Sequence, residues 1–425
     1  MTERRMPTVV SAVDAAFRAE WSGLVATLRR EFGDLQIAED AAQEAFAAAA
    51  RVWRRDGVPE RPGAWLLVTA RRRAIDSLRR AKRLDDRLAR LADAPPPSPR
   101  EMLDDQLALI FGCCHPALPT EAQVALTLRT VCGLSTDQIA HAFLVPSATM
   151  SKRLVRARNK IRQAGIPFSV PDVEHLDDRA DGVAAVIYAV FTEGHASTSA
   201  DTLIRGDLCD EAIWLAETVT TLLPEHGDVH ALAALCLLTD ARRAARFDQH
   251  GEPVLLPDQD REAWDRYKVA RGLDHLVAAR RHDARGPYRP HAEIAAVHAI
   301  SPCYDATDWT AIIQVYDRWL AAGGDAVVAL NRAVAIGERD GPDAALAALV
   351  PLMASGQLDD YHYAHVAHAT SLRRAGRDAE ALGAYGRALD TCSNESEARW
   401  IRSERDQLTA SANTMAGRPP PPVGT

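Results

Sequence analysis

The stretch from residue 134 to residue 161 decides the fold of the chain around it: Leu134-Ser-Thr-Asp-Gln-Ile-Ala-His-Ala-Phe-Leu-Val-Pro-Ser-Ala-Thr-Met-Ser-Lys-Arg-Leu-Val-Arg-Ala-Arg-Asn-Lys-Ile161. Ser135 or Thr136 can cap a first short helix, and Leu144-Val-Pro146 predicts a tight turn. Ser147 can then cap a second helix. Apolar residues recur at helical spacing in both segments, at Ile139, Ala140, Phe143, Met150, Leu154, Val155, Ala157 and Ile161. The pattern predicts a helix-turn-helix, whose second helix enters the major groove of DNA.

The second of these helices is strongly basic. From Ser147 to Gly165 it carries six Lys or Arg residues and no acid, so it can neutralise several phosphates and offer an arginine to a guanine edge. The alternative interpretation, a solvated basic face on a packing helix, leaves the turn and the missing acids unexplained. The candidate DNA-binding residues are Ser147, Thr149, Ser151, Lys152, Arg153, Arg156 and Arg158.

Another basic helix is predicted earlier, in Pro62-Gly-Ala-Trp-Leu-Leu-Val-Thr-Ala-Arg-Arg-Arg-Ala-Ile-Asp-Ser-Leu-Arg-Arg-Ala-Lys-Arg83. A loop with two prolines and two glycines, residues 56–63, leads into it. Such a helix can follow the phosphates of separated DNA strands while the loop receives an unstacked base. A buried stripe on its other side can form from Trp65, Leu66, Val68, Thr69, Ile75 and Leu78.

An acidic helical face lies before both basic segments, within residues 34–53. Asp40, Gln43 and Glu44 share this face at spacings of three and four, and Phe46 and Trp53 share another. An acidic face beside a basic helix suggests docking onto a positively charged protein surface. Spacing alone still favours a solvated face.

Composition restricts the class of protein. The chain has 425 residues, of which 47% are hydrophobic and 25% charged, and its abundant alanine makes an all-β fold unlikely. Its first residues include acids and no long apolar block, no run of 18 apolar residues follows, and seven scattered cysteines suit no disulfide framework. We therefore expect a cytoplasmic protein without a membrane segment.

Charge is divided unevenly along the chain. Residues 1–170 carry 26 Lys and Arg against 19 Asp and Glu, whereas the remainder carries 24 against 39. The basic part suits a polyanion such as DNA. The acidic part is expected to pack near the basic surfaces or to bind another protein.

Proline-rich segments divide the chain into blocks. We predict helices over 13–31, 35–54 and 62–90, a first domain over 8–91, a proline-rich linker over 92–104 and a second domain over 105–166. A helical block follows over 172–410, with a disordered tail over 411–425. Alanine-rich helices recur at Ala311, Ala345 and Ala381, spaced by 34 and 36 residues, which is typical of tetratricopeptide repeats.

In this order and at these distances, the three N-terminal segments resemble a bacterial RNA polymerase sigma factor of the extracytoplasmic-function (ECF) type. Residues 13–90 resemble its region 2, and residues 101–165 resemble its region 4. Four later segments resemble the subgroup of these sigma factors that carries a long tetratricopeptide-like C-terminal extension. They are residues 181–195, 288–299, 325–336 and 367–389.

The resemblance implies a role for each segment. Region 4 would contact the polymerase flap, and the helix 147–162 would read the minus-thirty-five element. The loop 56–63 would capture a flipped base of the minus-ten element. Docking on the clamp helices of the largest polymerase subunit would fall to Asp40, Gln43, Glu44 and Phe46. Strand opening and minus-ten contacts would fall to Arg61, Trp65, Arg71, Arg72, Arg73, Asp76, Arg79 and Arg80. One departure is Arg71-Arg-Arg73, which stands where many members have Arg-Asn-Leu.

Several other sequence patterns are not interpreted as metal-binding or catalytic sites. Cys113, Cys114, His115 and Cys132 lack CxxC spacing, so buried thiols are expected. His362, His365 and His368 repeat every three residues and drift around a helix, so no metal is expected there. Near Asp181, Glu193 and His195 the sequence supplies no nucleophile or phosphate-binding loop, so neither an enzyme nor a cofactor is expected.

The sequence thus predicts an all-α protein with two small sigma domains and a C-terminal helical array. It would bind core RNA polymerase and promoter DNA, while the array regulates this activity or contacts another protein. The alternative is a polymerase-independent helix-turn-helix regulator with a ligand- or protein-sensing helical domain. A third class, an adaptor whose repeats are the main function, would leave the basic helices unexplained.

Overall fold

The computed structural model describes residues 9–80, 88, 90–143, 145–195, 202–249, 254–392 and 395–416. These residues form helices joined by turns, with no β-strand among them, so the predicted all-α fold class is confirmed. Two compact units divide the chain. The first is drawn from Met1–Asp240 and Asp274–Gly286, and the second from Ala241–Leu273 and Pro287–Thr425. The block predicted over 172–410 therefore contributes to both units.

Three helices begin the first unit: α1 (Val9–Phe32), α2 (Leu35–Asp56) and α3 (Pro62–Arg80). Asp34 caps α2 as predicted, because its side chain accepts hydrogen bonds from the backbone N–H groups of residues 36 and 37. Gly33 ends α1 with φ of 76°, a conformation that favours glycine. The predicted continuation of α3 over residues 81–87 lies outside the described residues.

Four helices follow: α4 (Pro99–Cys113), α5 (Thr120–Thr130), α6 (Thr136–Ala142) and α7 (Ser147–Ala164). Helix α4 begins inside the stretch predicted as linker, because Pro99 occupies its first turn, where a missing N–H costs nothing. Ser98 and Glu101 form a reciprocal capping box there. The extended segment is therefore shorter than predicted.

The helix-turn-helix is present as α6 and α7. Ser135 accepts a hydrogen bond from the N–H of Gln138 and so provides the predicted cap. The predicted cap by Ser147 is wrong, since α7 begins at Ser147 and its N-cap residue is Pro146. The buried residues of α7 are Met150, Leu154, Ala157 and Ile161.

The rest of the first unit contains α8 (Val173–His195), α9 (Thr202–Leu222) and α10 (Gly227–Asp240), and α11 follows over Arg266–Arg281. Helices α8 and α9 pack against α4, α8 also packs against α5, and α9 against α6. The start of the acidic block therefore packs on α4, α5 and the first helix of the helix-turn-helix, α6.

The second unit continues with seven helices: α12 (Tyr288–Ile300), α13 (Trp309–Ala321), α14 (Ala326–Asp340), α15 (Pro342–Ala354), α16 (His362–Arg374), α17 (Asp378–Thr391) and α18 (Glu395–Ala416). Consecutive helices pack on one another, most extensively α14 with α15 and α16 with α17. Ala345 and Ala381 are buried on the second helix of these pairs. A Cβ atom on Gly337 would stand 2.7 Å from the Cβ of Ala345, so small residues permit the close approach. The predicted disorder is wrong for residues 411–416, because α18 continues to Ala416.

Candidate functional site

The basic helix α7 presents most of its predicted DNA-binding side chains to solvent. Ser147, Thr149, Ser151, Lys152 and Arg156 are exposed, and Arg153 is half-buried. Val155, counted among the apolar positions, is 50% exposed and lies on this open side. The exposed surface is thus polar and basic with one apolar side chain, a composition that can contact both phosphates and base edges.

Helix α3 also presents a basic surface. Its buried residues are Leu66, Leu67, Ala70, Arg71, Ala74, Ile75 and Leu78, whereas Val68 is 37% exposed and does not belong to the predicted stripe. The outer face carries Arg72, Arg73, Arg79 and Arg80. Asp76 lies among them, with a carboxylate oxygen 3.6 Å from Arg79 Nη1.

Arg71 does not belong to that outer face, which corrects its assignment to DNA. Its side chain is 2% exposed and donates two hydrogen bonds to the carboxylate of Glu31, at 3.0 and 2.5 Å. It also donates to the carbonyl oxygens of Ala94 and Pro95, at 2.6 and 3.3 Å. The residue therefore ties α3 to α1 and to the segment that leads into α4.

The loop before α3 is open. Gly57 has φ of 85°, and Arg61 and Val58 are exposed. Trp65 is half-buried with its ring edge-on to Trp53, at a centroid distance of 5.6 Å. This contact fixes Trp65 at the base of the loop.

The acidic face of α2 is exposed as predicted at Asp40, Gln43 and Glu44. Phe46 is not part of it, because its ring is 7% exposed and contacts Phe17 and Trp21 at centroid distances of 5.0 and 6.0 Å. The docking assignment of Phe46 is therefore corrected to that of a core residue.

Sequence reasoning did not identify Glu39, the acid of α2 that makes contacts with other helices. Its carboxylate is completely buried and accepts hydrogen bonds from the Thr130 hydroxyl at 2.6 Å and from Arg158 Nη2 at 2.5 Å. Arg129 Nε lies 3.7 Å from the same carboxylate. We call these four side chains the Glu39 cluster. The cluster joins α2 to α5 and α7. In this structure the Arg158 side chain therefore contacts the protein and is not presented to DNA, contrary to its assignment.

Further contacts join the same two parts of the first unit. Trp21 Nε1 donates to the carbonyl of Thr130 at 3.0 Å, and Arg30 forms an ion pair with Asp105 at 2.7 Å. Gly133 has φ of 77°, and a Cβ atom there would lie 2.6 Å from the ring of Phe17. Such an approach requires glycine, so the loop after α5 packs closely on α1.

Helices α8 and α9 contact the α4–α6 part through polar groups as well. Arg179 Nη2 donates to the carbonyl of Phe111 at 2.6 Å. Burial raises the pKa of Glu211 on α9 to about 7, although a hydrogen bond from Cys132 and the charge of Arg18 act in the opposite direction. The thiols of Cys113, Cys114 and Cys132 are buried, and desolvation raises their pKa values.

Comparison with known proteins matches these parts separately. The family model for sigma-70 region 2 matches residues 17–84, and that for sigma-70 region 4 matches residues 108–161. A family of unknown function, DUF6596, matches residues 179–280. No solved structure matches the chain significantly. Among helices of the described residues, none has the length and apolar character needed to span a bilayer.

Two relatives extend the comparison. An uncharacterized protein of Rhizobium meliloti (strain 1021) is 41% identical over 416 residues, which cover 95% of this chain and 97% of that protein. A probable ECF RNA polymerase sigma factor, SigI, of Mycobacterium tuberculosis is 29% identical over 202 residues in each of two strains. That match covers 45% of this chain and 66% of SigI.

The basic helix α3 and the exposed acidic face of α2 lie within the residues matched to sigma-70 region 2, and the helix-turn-helix lies almost entirely within those matched to region 4. The chain thus contains both sigma-70 regions and is similar over 45% of its length to a probable ECF sigma factor. A long C-terminal extension follows, which the DUF6596 model matches in part. The matching sigma families are not families of enzymes.

Proposed function

We propose that this protein directs core RNA polymerase to a specific set of promoters and that its C-terminal helices modulate this activity. The exposed face formed by Asp40, Gln43 and Glu44 would dock on the polymerase clamp helices. Helix α7 would read the minus-thirty-five element, while α3 and the loop before it would engage the minus-ten element. The observation that carries the proposal is that an acidic face on α2 and basic faces on α3 and α7 are exposed within the two matched sigma regions.

A binding experiment tests the docking surface. Asp40→Lys together with Glu44→Lys reverses two exposed charges without touching the core. Co-elution with purified core RNA polymerase should be lost for this variant. Glu121→Lys is the charge-reversal control, because this exposed acid lies on a different helix, α5. Equal binding by both variants would contradict the assignment.

The Glu39 cluster supports a specific form of modulation. Region 2 and region 4 engage separate promoter elements, so the contact between α2 and α7 has to break before both can bind. Arg158 would then exchange the Glu39 carboxylate for a DNA phosphate. Helices α8 and α9 pack on α4–α6, and anything that shifts them would change the position of region 4.

The polymerase-independent regulator is the competing function. It would use α7 and would give the exposed acidic face of α2 no purpose. A footprint produced by the protein alone, with no change when core polymerase is added, would favour this alternative.

A further inference from the structure

We propose that the second unit carries a zinc site formed by His362, Cys392 and Glu397. An imidazole nitrogen, the thiol sulfur and a carboxylate oxygen of these residues lie within 4.8 Å of one another. His362 Nε2 is 2.9 Å from Glu397 Oε2. Each of the three residues is partly buried, so the donors are sheltered and still reachable by an ion from solvent.

The three donors come from three different elements. His362 is the first residue of α16, Cys392 is the C-cap of α17, and Glu397 lies in the first turn of α18. The fold therefore brings together residues that are 30 and 35 positions apart in the sequence. Of the neighbouring histidines, His365 Nε2 instead pairs with the carbonyl of Asp359 at 2.8 Å. The histidine repeat itself does not form the site.

The chemistry of this donor set selects zinc. One nitrogen, one sulfur and one oxygen donor are the three ligand types that zinc accepts, whereas magnesium and calcium prefer oxygen alone. Zinc bonds of about 2.0–2.3 Å in a tetrahedron place the donors about 3.3–3.7 Å apart. His362 Nε2 and Glu397 Oε2 are 2.9 Å apart, so these two atoms need to move only slightly further from each other to bind the ion between them. With three protein ligands, the fourth position is left for water.

A neighbouring side chain orients the carboxylate. The Tyr363 hydroxyl donates to Glu397 Oε1 at 2.6 Å, which turns Oε2 towards His362. Hydrogen bonds of this kind commonly hold metal-binding carboxylates in place. Bound zinc would join the final helix α18 to the pair formed by α16 and α17.

The test is a zinc titration of the full-length protein after treatment with a chelator, in competition with a chromogenic zinc indicator. We expect one ion per chain with submicromolar affinity. Cys392→Ser and His362→Gln should each weaken binding at least about ten-fold, and Tyr363→Phe by about ten-fold. Cys303→Ser is the control, because Cys303 is an exposed thiol remote from these donors in the sequence.

Cobalt provides a readout that does not depend on stability. Co(II) in the native protein should show a near-ultraviolet thiolate-to-cobalt band together with tetrahedral visible absorption. Cys303→Ser should retain the thiolate band, Cys392→Ser should lose it, and Cys392→His should bind cobalt without it. Absence of stoichiometric zinc binding, or a thiolate band that persists in Cys392→Ser, would overturn the proposal. Neither measurement involves transcription, so its outcome is independent of the sigma-factor proposal.

Discussion

At the scale of single residues, Glu39 is the most informative position. A carboxylate with no exposed surface requires charged or hydrogen-bonding partners, and it finds them in Thr130, Arg129 and Arg158. These partners belong to region 4, while Glu39 lies beside Asp40, an exposed residue of the face proposed to dock on polymerase. The same helix α2 therefore carries the face proposed to dock on polymerase on one side and contacts region 4 on the other.

Replacing Glu39 by Gln should loosen this contact. The amide keeps one acceptor but removes the charge that Arg158 and Arg129 face, so the free energy of unfolding should fall by about 2 kcal/mol. Urea unfolding measures the change, and Glu121→Gln, an exposed acid, should remain within about 0.5 kcal/mol of the native protein. The Glu39→Gln protein should also bind promoter DNA more tightly in the presence of core polymerase, because the contact between the two regions is weakened. Unchanged stability would show that the Glu39 cluster does not hold the two regions together.

At the scale of elements, helix α3 contains neighbouring arginines with opposite roles. Arg71 is buried against Glu31, whereas Arg72 is exposed on the basic face. Consecutive positions of a helix point in different directions, which places Arg71 in the core and Arg72 on the face proposed to bind DNA. Sequence spacing alone does not distinguish them, because both lie in a run of three arginines.

Matched alanine variants separate the two roles. Arg71→Ala leaves the Glu31 carboxylate buried without its partner and should lower the free energy of unfolding by about 3–5 kcal/mol. Arg72→Ala should stay within about 0.5 kcal/mol of the native stability. Its affinity for DNA should fall, with the logarithmic salt slope reduced by about 1. The reverse assignment, stability loss at Arg72 with none at Arg71, would refute this account of α3.

The free energy of unfolding should depend on pH through Glu211 on helix α9. Its folded pKa of about 7 lies above the ordinary value of 4.5, so the protonated carboxyl favours the folded state. The contribution to stability is complete at low pH and is lost as pH rises through 7. Between pH 5 and pH 8, the native protein should therefore lose about 2 kcal/mol relative to Glu211→Gln. Parallel pH profiles of the two proteins in urea unfolding would contradict the buried position of this carboxyl.

Local features of these elements could be predicted from the sequence. The Asp34 and Ser135 caps, the helix-turn-helix and the exposed acidic face all depend on residues within a few positions of one another. The Glu39–Arg158 and Arg71–Glu31 pairs join residues 119 and 40 positions apart. Periodicity places a residue on a helical face but does not identify the partner that covers it, which is why Phe46, Arg71 and Arg158 were assigned to surfaces.

At the scale of the whole molecule, the boundary between units does not follow the proline-rich segments. Helices α8–α10 belong to the same compact unit as the two sigma regions. The acidic part of the chain therefore begins within the unit that carries the basic DNA-binding helices. Composition revealed the change of charge along the chain. It could not reveal that α8 and α9 pack on α4–α6, because these contacts join residues far apart in the sequence. The arrangement supports modulation of region 4 by the extension.

Run-off transcription tests the central claim most directly. The assay combines core RNA polymerase, the full-length protein and a promoter fragment from upstream of its own gene. The account predicts a discrete transcript that requires the protein, is abolished by Asp40→Lys with Glu44→Lys, and persists with Glu121→Lys. A footprint by the protein alone, with no transcript from any of these proteins, would contradict sigma-factor function and favour the polymerase-independent regulator.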